Sequence, residues 1–346
     1  MKRLDLLLFG LVVALLASPT NSVGQSKRAK LPDFDKPYYQ AQFLGLAQGG
    51  FQFWDKGYLI THAWDMTLEV NPRKPGVVLY GKDGGVAREA VVWIDGARSV
   101  SVADAAVSRS GKLVVAGGAT GPDGAIANFI AEIGADDHVK RVIRTTPFMP
   151  VYVCASDDGT VWSYGVERDD HLVSVQNSLR LRQYSFKKGQ LRAMLDTTSL
   201  NQGWLLERGV YPGQISLRCN SKTVVLYNAG TGDLLEFDLQ TNALKATKIP
   251  PLVSGQNGVF VTGFALTESG EIFASLNDRS KKPFLSGLFR LSVNSTPGAK
   301  WVPVTGTLGP YLKGSPIERL IGADGDDLVY TARRDGNLFW SKQGGQ

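Results

Sequence analysis

Short apolar runs with period-two alternation recur along the chain after residue 50, and polar turns separate them. In VCASDDGTVWSYG, residues 153–165, two such runs flank Asp157-Asp158-Gly159. This alternation predicts β-strands, and a glycine-containing polar turn between two strands predicts a hairpin. Five further segments align with it: FWDKGYLIT, VSRSGKLVVA, RCNSKTVVLY, LTESGEIFAS and ADGDDLVYTA. Their turns lie 48 to 63 residues apart, so the pattern predicts six repeats.

A third strand follows every hairpin, and a fourth follows the first five. The third strands are GVVLYG, NFIAEI, LRLRQYSF, DLLEFDL, GLFRLSV and NLFWSK, and the fourth are AREAVVWID, VKRVIR, LRAML, ALKATKI and KWVPV. Four antiparallel strands repeated at about fifty residues are typical of β-propeller blades. The sixth unit ends after its third strand, and PYYQAQFLGL, from Pro37 to Leu46, could complete it. We therefore predict an all-β, six-bladed propeller closed by this N-terminal strand; two β-sandwiches of three units each are the alternative.

The first residues predict export. Lys2 and Arg3 precede an apolar run from Leu6 to Ala17, and small residues follow at Ser22 and Gly24. Secretory signal peptides have this composition, whereas a membrane-spanning helix needs about 20 apolar residues. We expect cleavage after Gly24, with Ala17 as the alternative. The predicted division is a signal peptide at 1–24, a flexible segment at 25–35 and a single propeller domain at 36–346 of a secreted or periplasmic protein.

Charge and cysteine content narrow the class of protein. The formal net charge is +6, and removal of Lys2, Arg3 and Asp5 leaves +5. Acidic residues are scattered among the basic ones, so we expect no nucleic-acid partner and a modest preference for anionic ligands. No long apolar run follows residue 24, so we expect no transmembrane segment after removal of the signal peptide. We also expect a monomer. Only Cys154 and Cys219 are present, so packing must supply the core.

The hairpin turns resemble those of six-bladed propellers of the NHL and TolB-like kind, in which Asp-Gly or Ser-Gly precedes a β-branched strand. The resemblance covers nearly all of the predicted mature chain and concerns the fold. Asn220-Ser221-Lys222 departs from it because this turn lacks glycine, and no Trp-Asp signature of WD40 units is present. Some six-bladed propellers are metal-dependent lactonases. The resemblance therefore also implies an alternative function, a hydrolase or lactonase with a carboxylate-held Ca²⁺ at the channel mouth, although no ligand set can be matched residue by residue.

Propeller topology sorts the candidate residues between two rims. The first-to-second and third-to-fourth turns share one rim, which we call the turn rim. Asp136-Asp137, Asp157-Asp158 and Asp326-Asp327 fall there, so we interpret these carboxylates as turn chemistry. His138 belongs to the turn rim, whereas His62 and His171 belong to the opposite one, so the three histidines cannot share a metal ion. Motifs of hydrolases and nucleotide-binding proteins, such as GxSxG and GxGxxG, are missing from the sequence.

The second-to-third loops and the connections between blades share the opposite rim, which we call the long-loop rim. Rigid scaffolds concentrate function on such loops, so this is the candidate binding surface. Aromatic and basic residues are mixed there, and the candidate ligand-binding residues are Trp64, Arg73, Arg168, His171, Trp204, Arg208, Tyr211, Lys281 and Tyr311. The sequence favours a binding module for a saccharide, peptide or protein, without a cofactor, over an enzyme. Cys154 and Cys219 end the first strands of adjacent units, where they are either a disulfide or two buried thiols.

Overall fold

The computed structural model is an all-β propeller with four antiparallel strands per blade. It describes residues 39–40, 51–62, 76–81, 85–169, 175, 178–195, 215–252, 259–278, 285–292, 298–304, 317–334 and 337–342. Within these ranges, no helix is long and apolar enough to cross a membrane.

Five sheets are each built from four consecutive strands. The first contains β2 (Phe51–Asp55), β3 (Tyr58–His62), β4 (Val77–Tyr80) and β5 (Val86–Ala90). The second contains β6 (Ser99–Val107), β7 (Leu113–Thr120), β8 (Ile126–Ile133) and β9 (Val139–Arg144). The third contains β10 (Phe148–Ala155), β11 (Val161–Glu167), β12 (Leu181–Ser185) and β13 (Gly189–Met194). The fourth contains β14 (Ile215–Cys219), β15 (Thr223–Asn228), β16 (Asp233–Asp238) and β17 (Leu244–Lys248). The fifth contains β18 (Val259–Leu266), β19 (Ile272–Asp278), β20 (Leu285–Ser292) and β21 (Lys300–Pro303).

The sixth sheet combines the two ends of the described chain. It contains β22 (Ile317–Asp324), β23 (Asp327–Arg334) and β24 (Asn337–Lys342), and β1 (Tyr39–Gln40) completes it. The β1 strand is antiparallel to β24, with Tyr39 opposite Trp340 and Gln40 opposite Phe339. Of the predicted N-terminal strand, only Tyr39 and Gln40 are among the described residues.

The hairpin turns have the backbone geometry that the sequence predicts. Lys56 and Gly57 have φ values of 43° and 96°, as a two-residue turn of the primed type requires. The fourth sheet, whose turn lacks glycine, uses a side chain instead. The Asn220 Oδ1 accepts hydrogen bonds from the backbone N–H groups of Lys222 (2.9 Å) and Thr223 (2.8 Å). An asparagine that bonds to the backbone two and three residues ahead forms this turn without positive φ at a glycine.

The hydrophobic core consists of separate clusters between neighbouring sheets. Ile60, Val115 and Ala131 belong to the cluster between the first and second sheets, and Trp162 and Leu226 to that between the third and fourth. Because strand side chains alternate between the two faces, each middle strand contributes to the cluster on either side. The first strands of neighbouring sheets contact one another: β6 contacts β10, and β10 contacts β14. The first strands therefore lie around the central axis.

Bulges interrupt the regular pairing in first strands. The register shifts between Val102 and Asp104 in β6 and between Pro150 and Tyr152 in β10. A bulge re-aims the side chains that follow it. Asp104 and Tyr152 are therefore placed by equivalent irregularities in adjacent sheets.

Candidate binding site

The acidic pairs of the turn rim stabilise turns or join turns of different sheets. Asp158 Oδ1 accepts bonds from the Thr160 backbone N–H (2.8 Å) and the Ser156 hydroxyl (2.7 Å). Partial burial raises the pKa of Asp158, but the Ser156 and Thr160 hydrogen bonds outweigh it, so the pKa is lowered overall. Asp137, at a φ of 62°, forms an ion pair of 2.6 Å with Arg88 of the preceding sheet. Asp158 thus caps its own turn, whereas Asp137 bonds to a neighbouring sheet, and Asp326 accepts the Ser269 N–H of the fifth sheet at 2.7 Å.

Side chains also join turns across the axis at this rim. The Arg109 Nη2 in the second sheet lies 2.7 Å from Glu268 Oε2 in the fifth, and its Nε lies 3.3 Å from Asp157 Oδ2 in the third. The Ser221 hydroxyl of the fourth sheet donates to the Glu268 carboxylate. The turn-rim end of the central channel is thus crossed by ion pairs and hydrogen bonds.

A buried lysine lies just inside the turn rim. The Lys56 Nζ donates to the Ala155 carbonyl of the third sheet at 2.8 Å and lies 3.3 Å from Asp55 Oδ1. The other Asp55 oxygen accepts the Val107 N–H of the second sheet at 2.9 Å. Burial acts to lower the pKa of Lys56, but the charge and hydrogen bond of Asp55, together with the neighbouring Cys219 and Cys154, outweigh burial, and the pKa is raised. Lys56 therefore carries its charge in the channel and connects two sheets that are not neighbours.

A buried carboxylate follows at the depth of the bulges. Asp104, 8% exposed, accepts the Val153 N–H of the next sheet at 2.9 Å. Burial raises the pKa of Asp104 from 3.8 to about 7, against the Val153 hydrogen bond and the Arg218 charge, which lower it. The Arg218 guanidinium lies 5.5 Å from the centre of the Phe53 ring. Residues of the first, second, third and fourth sheets thus form one polar layer around the axis.

The two cysteines pack beside this layer as free thiols. Cys154 is buried, and Cys219 is partly buried against the same cluster. Burial raises the pKa of the Cys154 thiol, and the neighbouring Cys219 side chain raises it further. Sequence analysis left a disulfide and two buried thiols open, and oxidation of the protein separates these alternatives.

We expect protein exposed to a disulfide-bonded thiol oxidant to lose two hydrogen atoms from its intact mass, because exchange transfers two electrons from the thiols to the oxidant. The bridge closes a long loop, so oxidation should stabilise the protein by about 2–4 kcal/mol. Intact mass and melting of the oxidised and reduced forms measure both effects. A Cys219→Ser variant is the control, and unchanged mass in the wild-type protein contradicts the prediction.

A second polar cluster lies at the long-loop end of the third sheet. Arg182 Nη2 pairs with Glu167, its Nε donates to the Leu179 carbonyl at 3.1 Å, and its guanidinium lies 4.1 Å from the centre of the Phe148 ring. Arg180 is 1% exposed, and its Nε, Nη1 and Nη2 atoms have no hydrogen-bond partner in the part of the chain that the structure describes.

Two further polar atoms close to Arg180 in the sequence are buried without a partner among the described residues. They are the Nε of Arg168 and the hydroxyl of Ser178, which is 4% exposed. Buried polar groups are paired in the great majority of cases, so several unpaired donors within thirteen residues are unusual. We call Arg168, Ser178, Arg180, Arg182 and Glu167 the arginine cluster.

One of the predicted ligand-binding residues, Arg168, is described and belongs to this cluster. The others, Trp64, Arg73, His171, Trp204, Arg208, Tyr211, Lys281 and Tyr311, lie outside the described residues. Sequence analysis missed Arg180 and Arg182 as site residues, although the signal is present in LRLRQYSF. Arginines at alternate positions of an otherwise apolar strand must lie on the same face of that strand. Arginine is rarely buried unless it is paired, so two arginines on a buried face indicate a binding or structural partner.

A cavity of about 240 Å³ lies at the turn rim between the second and third sheets. Side chains of Ser108, Lys112, Glu132, Asp158, Thr160 and Lys187 line it. Glu132 pairs with Arg141 at 3.5 Å, and Asp158 and Thr160 serve their own turn. The polar groups in its wall are thus largely engaged with one another.

No group of three or more His, Cys, Asp or Glu side chains that could hold a metal ion occurs in the described part of the chain. His138 lies in the β8–β9 turn, where its Nδ1 is 2.7 Å from the Asp136 carbonyl, and His62 ends β3 at the opposite rim. Their separation agrees with the sorting of histidines between rims that the sequence predicts.

Comparison with known proteins supports the fold class. No protein-family model matches the chain, and no curated protein is significantly similar to it. Among solved structures, it is similar to a Bacteroides fragilis protein named as exported, with 10% identity over 92% of this chain and 98% of that one and a TM-score of 0.52. A gluconolactonase from Xanthomonas campestris (13% identity, 89% and 88% coverage, TM-score 0.44) and the β-propeller domain of the Trilobed protease from Pyrococcus furiosus (10% identity, 71% and 83% coverage, TM-score 0.40) are more distant. Identities this low show only the fold, so the chain is a β-propeller to which these likenesses assign no activity.

Proposed function

We propose that this protein is an exported propeller that binds a ligand through its long-loop rim. The observation that carries the proposal is the difference between the two rims. At the turn rim, the Arg109 ion pairs to Glu268 and Asp157 cross the axis. The long-loop end of the third sheet instead holds the buried, unpaired guanidinium of Arg180. A rim whose polar groups satisfy one another has little left for a ligand, whereas unpaired donors can bind one.

Export rests on residues 1–24, whose basic start and short apolar run are those of a signal peptide. The similar Bacteroides fragilis protein is also named as exported. A secreted or periplasmic location is therefore part of the proposal.

We further propose that the ring has six blades, of the NHL and TolB-like kind, and that the N-terminal strand completes the last one. Three observations support this count. The sixth sheet has four strands once β1 is included. Its first strand, β22, contacts β18 on one side and β2 on the other. Apolar clusters fill both contacts, with Leu320 and Phe273 in one and Ile321 and Trp54 in the other.

The binding proposal is tested with an array of acidic and neutral oligosaccharides and peptides. We expect the wild-type protein to be retained on a subset of the array and the Trp204→Ala, Arg208→Ala double variant to lose that retention at unchanged melting temperature. The matched control is Lys112→Ala, Lys187→Ala, which removes two exposed lysines at the turn-rim cavity and should leave retention intact. Loss in the control with retention in the long-loop variant would place the binding surface on the turn rim and contradict the proposal.

A further inference from the structure

Among the described residues, Arg180 has no hydrogen-bond partner that accounts for its burial. The side chain is 1% exposed, and none of the three guanidinium nitrogens bonds to a described residue. A buried charge without a partner costs several kcal/mol or more, so such residues are retained when something offsets the cost. Burial lowers the pKa of Arg180, while Tyr164 and Glu167 act in the opposite direction. The guanidinium nevertheless stays protonated because its ordinary pKa is so high.

The carboxylate beside Arg180 is already engaged. Glu167 is paired with Arg182, which also donates to the Leu179 carbonyl and to Gln190 Oε1 at 3.3 Å. Arg182 is therefore a satisfied structural arginine, and Glu167 mainly offsets its charge. The arginine cluster holds three guanidinium groups and one carboxylate, which leaves an excess of positive charge.

The unpaired donors share one short stretch of the third sheet. Gly165, two residues before the end of β11, donates its N–H to the Arg180 carbonyl at 3.0 Å, so Arg180 lies directly beside the β11 residues that lead to Arg168. Ser178 precedes Arg180 by two residues, and its hydroxyl is also buried and unpaired. Guanidinium and hydroxyl donors at one strand end together suit an oxygen-rich anion.

We propose that Arg180 binds a carboxylate group of the ligand, with Ser178 and Arg168 as the neighbouring donors. The inference rests on the proposed binding function of the long-loop rim. A planar carboxylate accepts two parallel N–H bonds from a guanidinium, and a pair shielded from water is stronger than an exposed one. Arg180 would then anchor the ligand through a charged bond that exists only in the complex.

A carboxylate fits this cluster better than a phosphate. Arg180 is the one member of the cluster whose entire guanidinium is both buried and unpaired, because Arg182 has Glu167 and Arg168 is half-buried. One uncompensated buried charge calls for a monoanion. Transfer of a dianion from water into the same environment costs far more, since the desolvation penalty grows steeply with charge.

The test uses two carboxylate probes and their neutral counterparts: tri-galacturonate and its methyl ester, and a tri-glutamate peptide and its amide. We expect the wild-type protein to bind at least one acid in calorimetric titration and not its neutral form. Arg180→Met should weaken that binding by about 100-fold, the typical value of a charge-assisted bidentate bond. Arg180→Lys, which keeps the charge and loses the fork, should fall in between. The saccharide and peptide arms distinguish the two sources of the carboxylate.

Arg192→Met is the matched control. Arg192 lies on β13 of the same sheet, is exposed, and stacks 5.8 Å from the Phe237 ring. We expect its removal to leave affinity unchanged. A cooperative melt of each variant excludes unfolding as the cause of lost binding.

The inference is overturned if a folded Arg180→Met protein binds like wild type, if neither acid binds, if the neutral forms bind equally well, or if inorganic phosphate binds more tightly than either acid. Retained binding in Arg180→Met with loss in the Trp204→Ala, Arg208→Ala variant would refute the carboxylate site alone. Loss of neither would refute the proposed rim as well.

Discussion

Deletion of residues 36–46 is expected to lower the melting temperature by roughly 10 °C or to cause aggregation. The deletion removes β1, which pairs with β24 through Tyr39 and Gln40. The backbone groups of β24 that face β1 would lose their partners, and an exposed strand edge is a template for association with another chain. A three-stranded last blade would also weaken the closure between β22 and its two neighbours.

The matched control is deletion of residues 25–35. This segment has the same length and contributes no strand to the described sheets. We expect its removal to leave the melting temperature and the monomer fraction in size-exclusion chromatography unchanged. Equal melting of the two truncated proteins would mean that residues 36–46 are a tail and that the ring does not depend on them.

Asp104→Asn is expected to be more stable than wild type, by a margin that grows as the pH rises from about 4 to 7. Burial raises the pKa of this carboxyl from 3.8 to about 7 in the folded protein. Between these values the folded state holds a proton that the unfolded state releases, so the stability that Asp104 contributes is complete below pH 4 and is lost as the pH rises to 7. At roughly 1.4 kcal/mol per pH unit, the loss is on the order of 4 kcal/mol.

The measurement is denaturant unfolding of wild type and each variant between pH 2 and 9. Asparagine keeps an oxygen that can accept the Val153 N–H, so the variant should match wild type near pH 4. Asp238→Asn is the control of opposite sign, because the Thr241 and Gln240 hydrogen bonds lower the pKa of this exposed carboxyl. The free energy of unfolding of wild type should therefore increase relative to that of Asp238→Asn as the pH rises through the acidic range. A stability difference between Asp104→Asn and wild type that does not change with pH would show that Asp104 is not protonated in the fold.

The strands of this fold are predictable from sequence because each hairpin is encoded locally. The predicted turn at Gly159 and the predicted third strand at 179–186 both occur, since alternation and turn chemistry act over a few residues. The asparagine turn at Asn220 was the least regular member of the repeat, and it forms a complete hairpin because a side chain replaces the missing glycine conformation.

The polar layer of the channel could not be predicted in the same way. Lys56 bonds to Ala155 and Asp104 to Val153, pairs separated by 99 and 49 residues. Such contacts depend on the rotation between blades and on the bulges in β6 and β10, which no local pattern specifies. The alternating arginines Arg180 and Arg182 were visible in the sequence. Which of the two arginines has a hydrogen-bond partner depends on the three-dimensional arrangement, so the sequence alone could not identify Arg180 as the candidate site residue.

The most direct test of the proposed role of Arg180 is the free energy of unfolding of Arg180→Met in the absence of ligand. If Arg180 is held unpaired for a ligand carboxylate, an apolar side chain of similar length should be tolerated better, and the variant should be more stable than wild type by about 1–4 kcal/mol. If Arg180 instead supports the fold through bonds of its own, its removal should cost stability. A lower free energy of unfolding for Arg180→Met than for wild type, with Arg192→Met unchanged, would contradict the proposal that Arg180 is held unpaired for a ligand.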